Sequence, residues 1–418
     1  MSQGKTRDRA SRARRRGALL CAADAIELAQ HYDVVVLGGG AAGLVAGICA
    51  AEQGAKVLVL EADVECGRSI LATGNGRCNF ANTNLDPRRY NDAGFVRAAF
   101  GERALEDILA FFSDCGLRWV QEEDRLYPRS RRAASLRNVL LARARRAGVT
   151  LGCARRADEA RRTEDGFCVG FTQELPEGSA RRGSLRCSSL VLAYGGTDAS
   201  VAAGLGLELH ERRPVLCPLS CEDSPLLTLD GRRAQARVTL VREGKRLWDE
   251  GGELLIRSYG LSGIVIFDLS RRAHEGDGLL LDLASELTHD ELLDLVDPKR
   301  RGRFVPGCLD GVLDPDIASL LEGLACSSEE LAGLAKGFRL RALGTADETH
   351  AQVRRGGLAC SQFAAQDLSC ASAPGLFACG EALDIDADCG GFNLAWAWKS
   401  GMLAGSAAAG QTLGKASH

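Results

Sequence analysis

Gly38, Gly40 and Gly43 stand at the spacing of a phosphate-binding turn, in the run Gly38-Gly-Gly-Ala-Ala42-Gly43. The first glycine permits a tight turn, the second lets backbone approach a pyrophosphate, and the third lets the following helix close on the preceding strand. Ala42 sits in the same first helical turn. Glu61 follows about twenty residues on, where an acidic side chain accepts from ribose hydroxyls, and its charge disfavours a 2′-phosphate. This chemistry is recognition of an adenosine dinucleotide, and the turn alone leaves both NAD and FAD open.

A second set of polar residues comes directly after it. Gly67, Arg68, Gly74, Gly76, Arg77, Cys78, Asn79 and Asn82 fall in a stretch dense in glycine and asparagine, a loop whose backbone amides are free to wrap a large polar ligand. The two arginines suit phosphate or flavin carbonyls, and the asparagines suit a polar ring edge. Near the other end of the chain, Gly380, Glu381 and Asp384 close a short apolar run. Gly390, Gly391, Phe392 and Asn393 then lead from an acidic turn into an apolar helix. A helix N-terminus at that point faces an anionic or electron-rich group, and a reduced isoalloxazine is one. A nicotinamide dinucleotide needs only a local βαβ unit, whereas FAD is long enough to draw on distant parts of the chain. The two-ended pattern favours FAD.

These residues need buried strands and helices to hold them. At 418 residues, 45% hydrophobic and 26% charged, the chain can bury a large core and is no disordered or disulfide-stapled peptide, and its 49 glycines favour a loop-rich α/β scaffold. The run His31–Leu37 predicts a central parallel strand, and 55–60 predicts a second. Residues 34–51 are uncharged for the length of a short membrane span, but their glycines divide them into strand, turn and helix. Further along, 236–242, 253–256 and 264–267 read as strands, while 288–296 and 317–334 suit helices. Lys5 and six arginines among the first 16 residues read as a solvated, disordered arm.

A formal net charge of −3 gives no global reason for a nucleic-acid partner or an anionic membrane, so the expected partner is a small-molecule substrate. Sixteen cysteines spread from Cys21 to Cys389 without a C-x-x-C spacing fit a reducing cytoplasm and no metal site. Cys78 has no partner at redox spacing. His210, His274, His289 and His350 form no recognisable acid–base constellation.

Together, the Gly38 turn with Glu61, Gly67-Arg68, Gly74-Asn-Gly76-Arg77-Cys78-Asn79, Tyr259-Gly-Leu-Ser262-Gly263, Gly380-Glu381-Ala-Leu-Asp384 and Gly390-Gly391-Phe392-Asn393-Leu resemble a known pattern. It is that of the aminoacetone-oxidase-like, NAD(P)/FAD-dependent oxidoreductase family of bacterial flavoproteins, which includes a bile-acid ene reductase. The resemblance implies a discontinuous Rossmann-like FAD-binding domain in an α/β fold, with an inserted β-barrel plus a small helical domain. The parts would be a basic arm over 1–30, the FAD domain over 31–197 and 347–418, and the insert over 198–346. It assigns 190–196, with Gly195, to the strand that closes on the flavin, Arg125–Pro128 to a loop before a helix over 135–147, and Tyr259 and Ser262 to the substrate side as catalytic candidates.

Departures from the family pattern fall where substrates are expected: Thr197-Asp-Ala-Ser200, Ile264 in place of proline, and Gln366-Asp367-Leu-Ser-Cys370. The expected activity is flavin hydride transfer to or from an organic small molecule, either C=C reduction or amine or alcohol oxidation. The electron donor is open: if NAD(P)H reduces the flavin it does so at a shared or transient site, since Ala203-Gly-Leu-Gly206 lacks the rest of a second dinucleotide fingerprint. An NAD-dependent dehydrogenase without flavin and a flavin-binding module without turnover are the rival readings. The sequence assigns no oligomeric state.

Overall fold

The computed structural model describes residues 2–195, 199–346, 351 and 353–415. Thr197, Asp198 and His350, named above, lie outside the described residues. The chain divides into two units, Met1–Arg212 with Arg355–His418, and Arg213–Arg354. The insert was expected over 198–346; the observed division lies further along the chain at both ends.

The first unit opens with helix α1 (Ser2–Asp24), then strand β1 (His31–Leu37), helix α2 (Ala41–Glu52) and strand β2 (Val57–Leu60). The helical segment corrects the expected disordered arm. Charge density alone suggests solvation, but Leu20 and Ala23 form an apolar face that packs on Val64 and Ala154. Arg15 and Arg16 pair with Glu65 and Glu174 at 3.1 and 2.5 Å.

Strand order in the main sheet is Thr150–Gly152, β2, β1, Ala180–Leu192, Gly166–Glu174, Arg155–Thr163, with Leu376–Ala378 also paired to Ala180–Leu192. β1 runs parallel to both its neighbours, and Leu376–Ala378 runs parallel to Ala180–Leu192. The register puts Leu37 level with Leu60 and Leu192, Leu60 level with Gly152, and Leu192 level with Ala378. Five strands therefore end in one row, which is where doubly wound sheets bind ligands. The valines of β1 are fully buried, as a central strand covered on both faces requires. The C-terminal helix Phe392–Lys415 lies against α2 so closely that a Cβ on Gly405 would stand 2.2 Å from the Ala46 carbonyl oxygen. Residues 125–128, expected as a loop, form a short strand of a separate three-stranded sheet.

The second unit holds a closed barrel in the order Leu219–Cys221, Gly260–Ser262, Lys245–Arg257, Arg233–Arg242, Gly278–Asp282, Phe338–Thr345. Val238, Leu240, Leu254, Ile256, Leu261 and Leu281 fill it. Helices His289–Val296, Pro315–Leu324 and Ser328–Lys336 pack on the same core. Thr288 and Glu291 form a reciprocal capping box at the first of them. Two expectations change here. The apolar run 264–267 is helical, Ile264–Ser270, because Val265, Ile266 and Leu269 recur on one buried helical face. The single helix read over 317–334 is two, since Ser327 caps a new start by accepting from the Glu330 amide. Among the described residues no helix is long and apolar enough to cross a membrane.

Candidate nucleotide site

The row of strand ends sets the site. Gly38, Glu61 and Ala193 are the next residues after β1, β2 and Ala180–Leu192, and Gly380 follows one residue behind Leu376–Ala378. Gly38 donates its amide to the Leu60 carbonyl at 2.8 Å, tying the turn to the neighbouring strand end. Gly40 caps α2 with no side-chain hydrogen bond, so the first amides of that helix face outward as an anion-binding terminus. Ala42 is buried in the first turn. The closest approach is at Gly43, where a Cβ would stand 1.8 Å from the Gly38 carbonyl oxygen; only glycine allows this turn and helix to meet.

Glu61 receives the Gly39 and Asp63 amides on its two carboxylate oxygens, each at 2.7 Å. Burial pushes its pKa up, and the amides oppose that shift. Gly67 donates to the Gly39 carbonyl at 2.7 Å, closing the loop behind the turn. The two arginines expected on phosphate or flavin carbonyls are each held by a carboxylate. Arg68 pairs with Asp63 at 2.7 Å. Arg77 pairs with Glu122 at 2.7 Å and lies over the Tyr127 ring at 4.5 Å, while Arg131 also reaches Glu122.

The loop carrying Gly74, Gly76, Cys78 and Asn79 meets the loop carrying Gly390, Gly391, Phe392 and Asn393. Asn82 Nδ2 donates to the Gly390 carbonyl at 3.0 Å across this seam. Cys78 is buried, which pushes its thiol up to about 11 and leaves it protonated. Asn79 Oδ1 is buried and accepts no hydrogen bond among the described residues. A Cβ on Gly391 would stand 2.8 Å from that oxygen, so glycine keeps the space in front of it open. Asn393 is spent on structure: its side-chain amide accepts from and donates to the Ala387 backbone, both at 2.9 Å. Phe392 is buried, and its carbonyl accepts from Tyr90 Oη at 2.8 Å.

Gly380 is fixed from both sides, its amide donating to Ser400 Oγ at 2.9 Å and its carbonyl accepting from Trp396 Nε1 at 3.0 Å. Arg212, which the sequence did not single out, donates to the Gly195 carbonyl at 2.6 Å and the Glu381 carbonyl at 2.8 Å. Glu381 itself is enclosed. Burial raises it to about 7, Asp386 adds to the rise, and Arg212 opposes it. Asp384 accepts from the Gly356 amide and meets His210 Nδ1, each at 2.8 Å, and raises that histidine's pKa. Asp386 is held by Arg355 at 2.6 Å. Chain distance hid Arg212 and Arg355 from a reading based on spacing, and hid the pairing of His210 with Asp384. The catalytic candidates Tyr259 and Ser262 are carried by the second unit, Ser262 buried on a barrel strand and Tyr259 partly exposed just before it.

The residues present fit FAD. The uncapped helix terminus suits a pyrophosphate, Glu61 suits a ribose, and Asn79 Oδ1, buried without a protein donor, suits the N–H edge of a polar ring.

Comparison with known proteins agrees. A sequence profile described as the HI0933-like protein Rossmann domain matches residues 32–407. The chain is 31% identical to a 3-dehydro-bile acid delta(4,6)-reductase of Clostridium scindens, over 90% of this chain and 98% of that one. It is 23% identical to a ribosomal RNA dihydrouridine synthase of Escherichia coli, over 89% and 96% of the two. Among solved structures, the open conformation of a flavocytochrome c3 fumarate reductase shares the fold. Its TM-score is 0.50 at 15% identity, covering 94% of this chain and 80% of that one.

Proposed function

Because the chain belongs to the HI0933-like Rossmann family of FAD-dependent oxidoreductases, we propose that it reduces a carbon–carbon double bond conjugated to a carbonyl in a small organic molecule. NAD(P)H is the proposed electron donor, visiting a transient site. The observation that carries the reading is the seam between the 74–82 and 390–393 loops, where Asn79 Oδ1 is buried without a donor behind the open space at Gly391. A ligand that satisfies this atom and also reaches the Gly38–Glu61 turn is two-ended, as FAD is. The choice of reduction is supported by the reductase at 31% identity.

FAD, when bound, supplies hydride transfer at the flavin. The chain's own groups bind and orient. The α2 terminus and Glu61 take the pyrophosphate and ribose, and Asn79 takes the ring edge. Arg212 holds the Gly195 and Glu381 backbones in register. Tyr259 and Ser262 are proposed to face the substrate. We place the enzyme in the cytoplasm on its cysteine pattern.

The test is the visible spectrum of the purified protein before and after heat release of its chromophore, followed by anaerobic NADH and NADPH. Released FAD that a nicotinamide bleaches, and that an α,β-unsaturated ketone but not its saturated counterpart reoxidises, is the expected result. Flavin that no nicotinamide bleaches points to an amine or alcohol oxidase, or to a binding module. A colourless protein that cannot be reconstituted with FAD overturns the reading.

A further inference from the structure

Cys66 and Cys153 are 87 residues apart in the chain, yet their sulfurs lie 3.5 Å from each other. The fold explains why. Cys153 directly follows the strand Thr150–Gly152, whose Gly152 is level with Leu60 and accepts the Glu61 amide at 3.0 Å. Cys66 sits in the loop that begins at Glu61, anchored where its carbonyl accepts from Arg137 Nε at 2.8 Å. The two thiols thus join the loops on either side of Glu61. Cys66 also touches the phosphate turn, since a Cβ on Gly39 would stand 2.6 Å from its sulfur. Both thiols line a cavity of about 590 Å³ walled by Leu19, Ala23, Val64 and Leu151. Cys66 is buried and Cys153 half-buried, so reagents meet Cys153 first.

We propose that Cys66 and Cys153 are a reversible dithiol–disulfide pair, closed by exchange with a low-molecular-weight disulfide such as oxidised glutathione, and that closure loosens the adjoining nucleotide site. Cys153, as thiolate, attacks the glutathione disulfide; one S–S bond breaks, a mixed disulfide forms and one glutathione leaves as thiolate. Cys66 then loses its proton and attacks the Cys153 sulfur, releasing the second glutathione. Two protein thiols are oxidised to one disulfide, and one glutathione disulfide is reduced to two thiols. The Cys66 hydrogen bond lowers the Cys153 pKa, while that same contact and then burial hold Cys66 well up, which matches this order of attack. A bonded pair stands about 2.05 Å apart, so closure must draw the sulfurs together, and any part of that movement made by Cys66 takes it from its seat against Gly39. Gly39 is the residue whose amide holds Glu61. Transient, regulatory disulfides of this kind are the ones that reducing compartments permit.

The effect on the nucleotide site rests on the FAD reading above; the linkage itself does not. Native full-length protein is incubated with oxidised glutathione, its remaining thiols are alkylated, and the digest is read by mass. The expected product is one peptide pair joined through Cys66 and Cys153, two hydrogens lighter than the sum, restored by dithiothreitol and absent in Cys153→Ser and in Cys66→Ala. Alkylation of both thiols after treatment, or linkages scattered over the other cysteines, overturns the proposal. FAD retention is measured on the oxidised and reduced forms. At least threefold weaker retention on oxidation is expected, and equal retention overturns the coupling. A chain that takes no FAD in either form sinks the flavin reading and leaves the mass result to decide the linkage.

Discussion

The residues of the site divide by how they hold charge. Burial pushes Glu61 up, and two short amide hydrogen bonds oppose that rise, whereas Glu381 is enclosed and has only the opposing influence of Arg212. A carboxyl raised from 4.5 to about 7 in the folded chain binds its proton more tightly there than when unfolded. Its contribution to stability is fully present below the unfolded value and is lost as pH rises through the folded one. Protein free of nucleotide should therefore lose stability between about pH 4.5 and pH 7 and level off above that, and Glu381→Gln should remove that loss. Melting curves are expected to coincide at pH 4.5 and to place the variant several degrees higher at pH 8.5. Identical pH slopes in the two proteins would show that Glu381 does not titrate in this window.

At the scale of elements, parallel strands that end level with one another deliver the turn, the ribose acid and the Gly380 loop to one edge of the sheet. The helix that follows Gly391 is pressed onto α2 by small residues on both, which locks the two ends of the chain together behind the site. Helix α1 is held differently, by a small apolar contact of Leu20 and Ala23 and by surface ion pairs that contribute little. Fully burying a leucine stabilises by about 1.5–3 kcal/mol, and a buried aspartate adds a desolvation penalty. Leu20→Asp should therefore release the first helix, seen as rapid amide exchange over residues 13–24, while leaving FAD binding within about twofold. Loss of FAD together with that release would instead make α1 part of the site.

The whole molecule has two compact units, each with its own hydrophobic core. Multi-domain chains commonly unfold in more than one step. Calorimetry should resolve two transitions, and FAD at one hundred times its dissociation constant should stabilise the first unit by about 2.7 kcal/mol while leaving the barrel's transition in place. A single transition moved as a whole by FAD would contradict this. Much of the first unit was readable in advance. β1, the Gly38 turn, α2, β2 and Glu61 lie within one βαβ stretch, and their identities follow from glycine spacing, strand burial and a charge at the strand end. Such signals are local because the backbone conformations they require involve near neighbours in the chain. The packing of α1, the helical state of 264–270, the enclosure of Glu381, the Arg212 clamp and the meeting of Cys66 with Cys153 were not readable. The state of 264–270 turned on which face of a short apolar run is buried; each of the others depends on residues far apart in sequence, brought together only when strand register and helix packing place distant loops side by side.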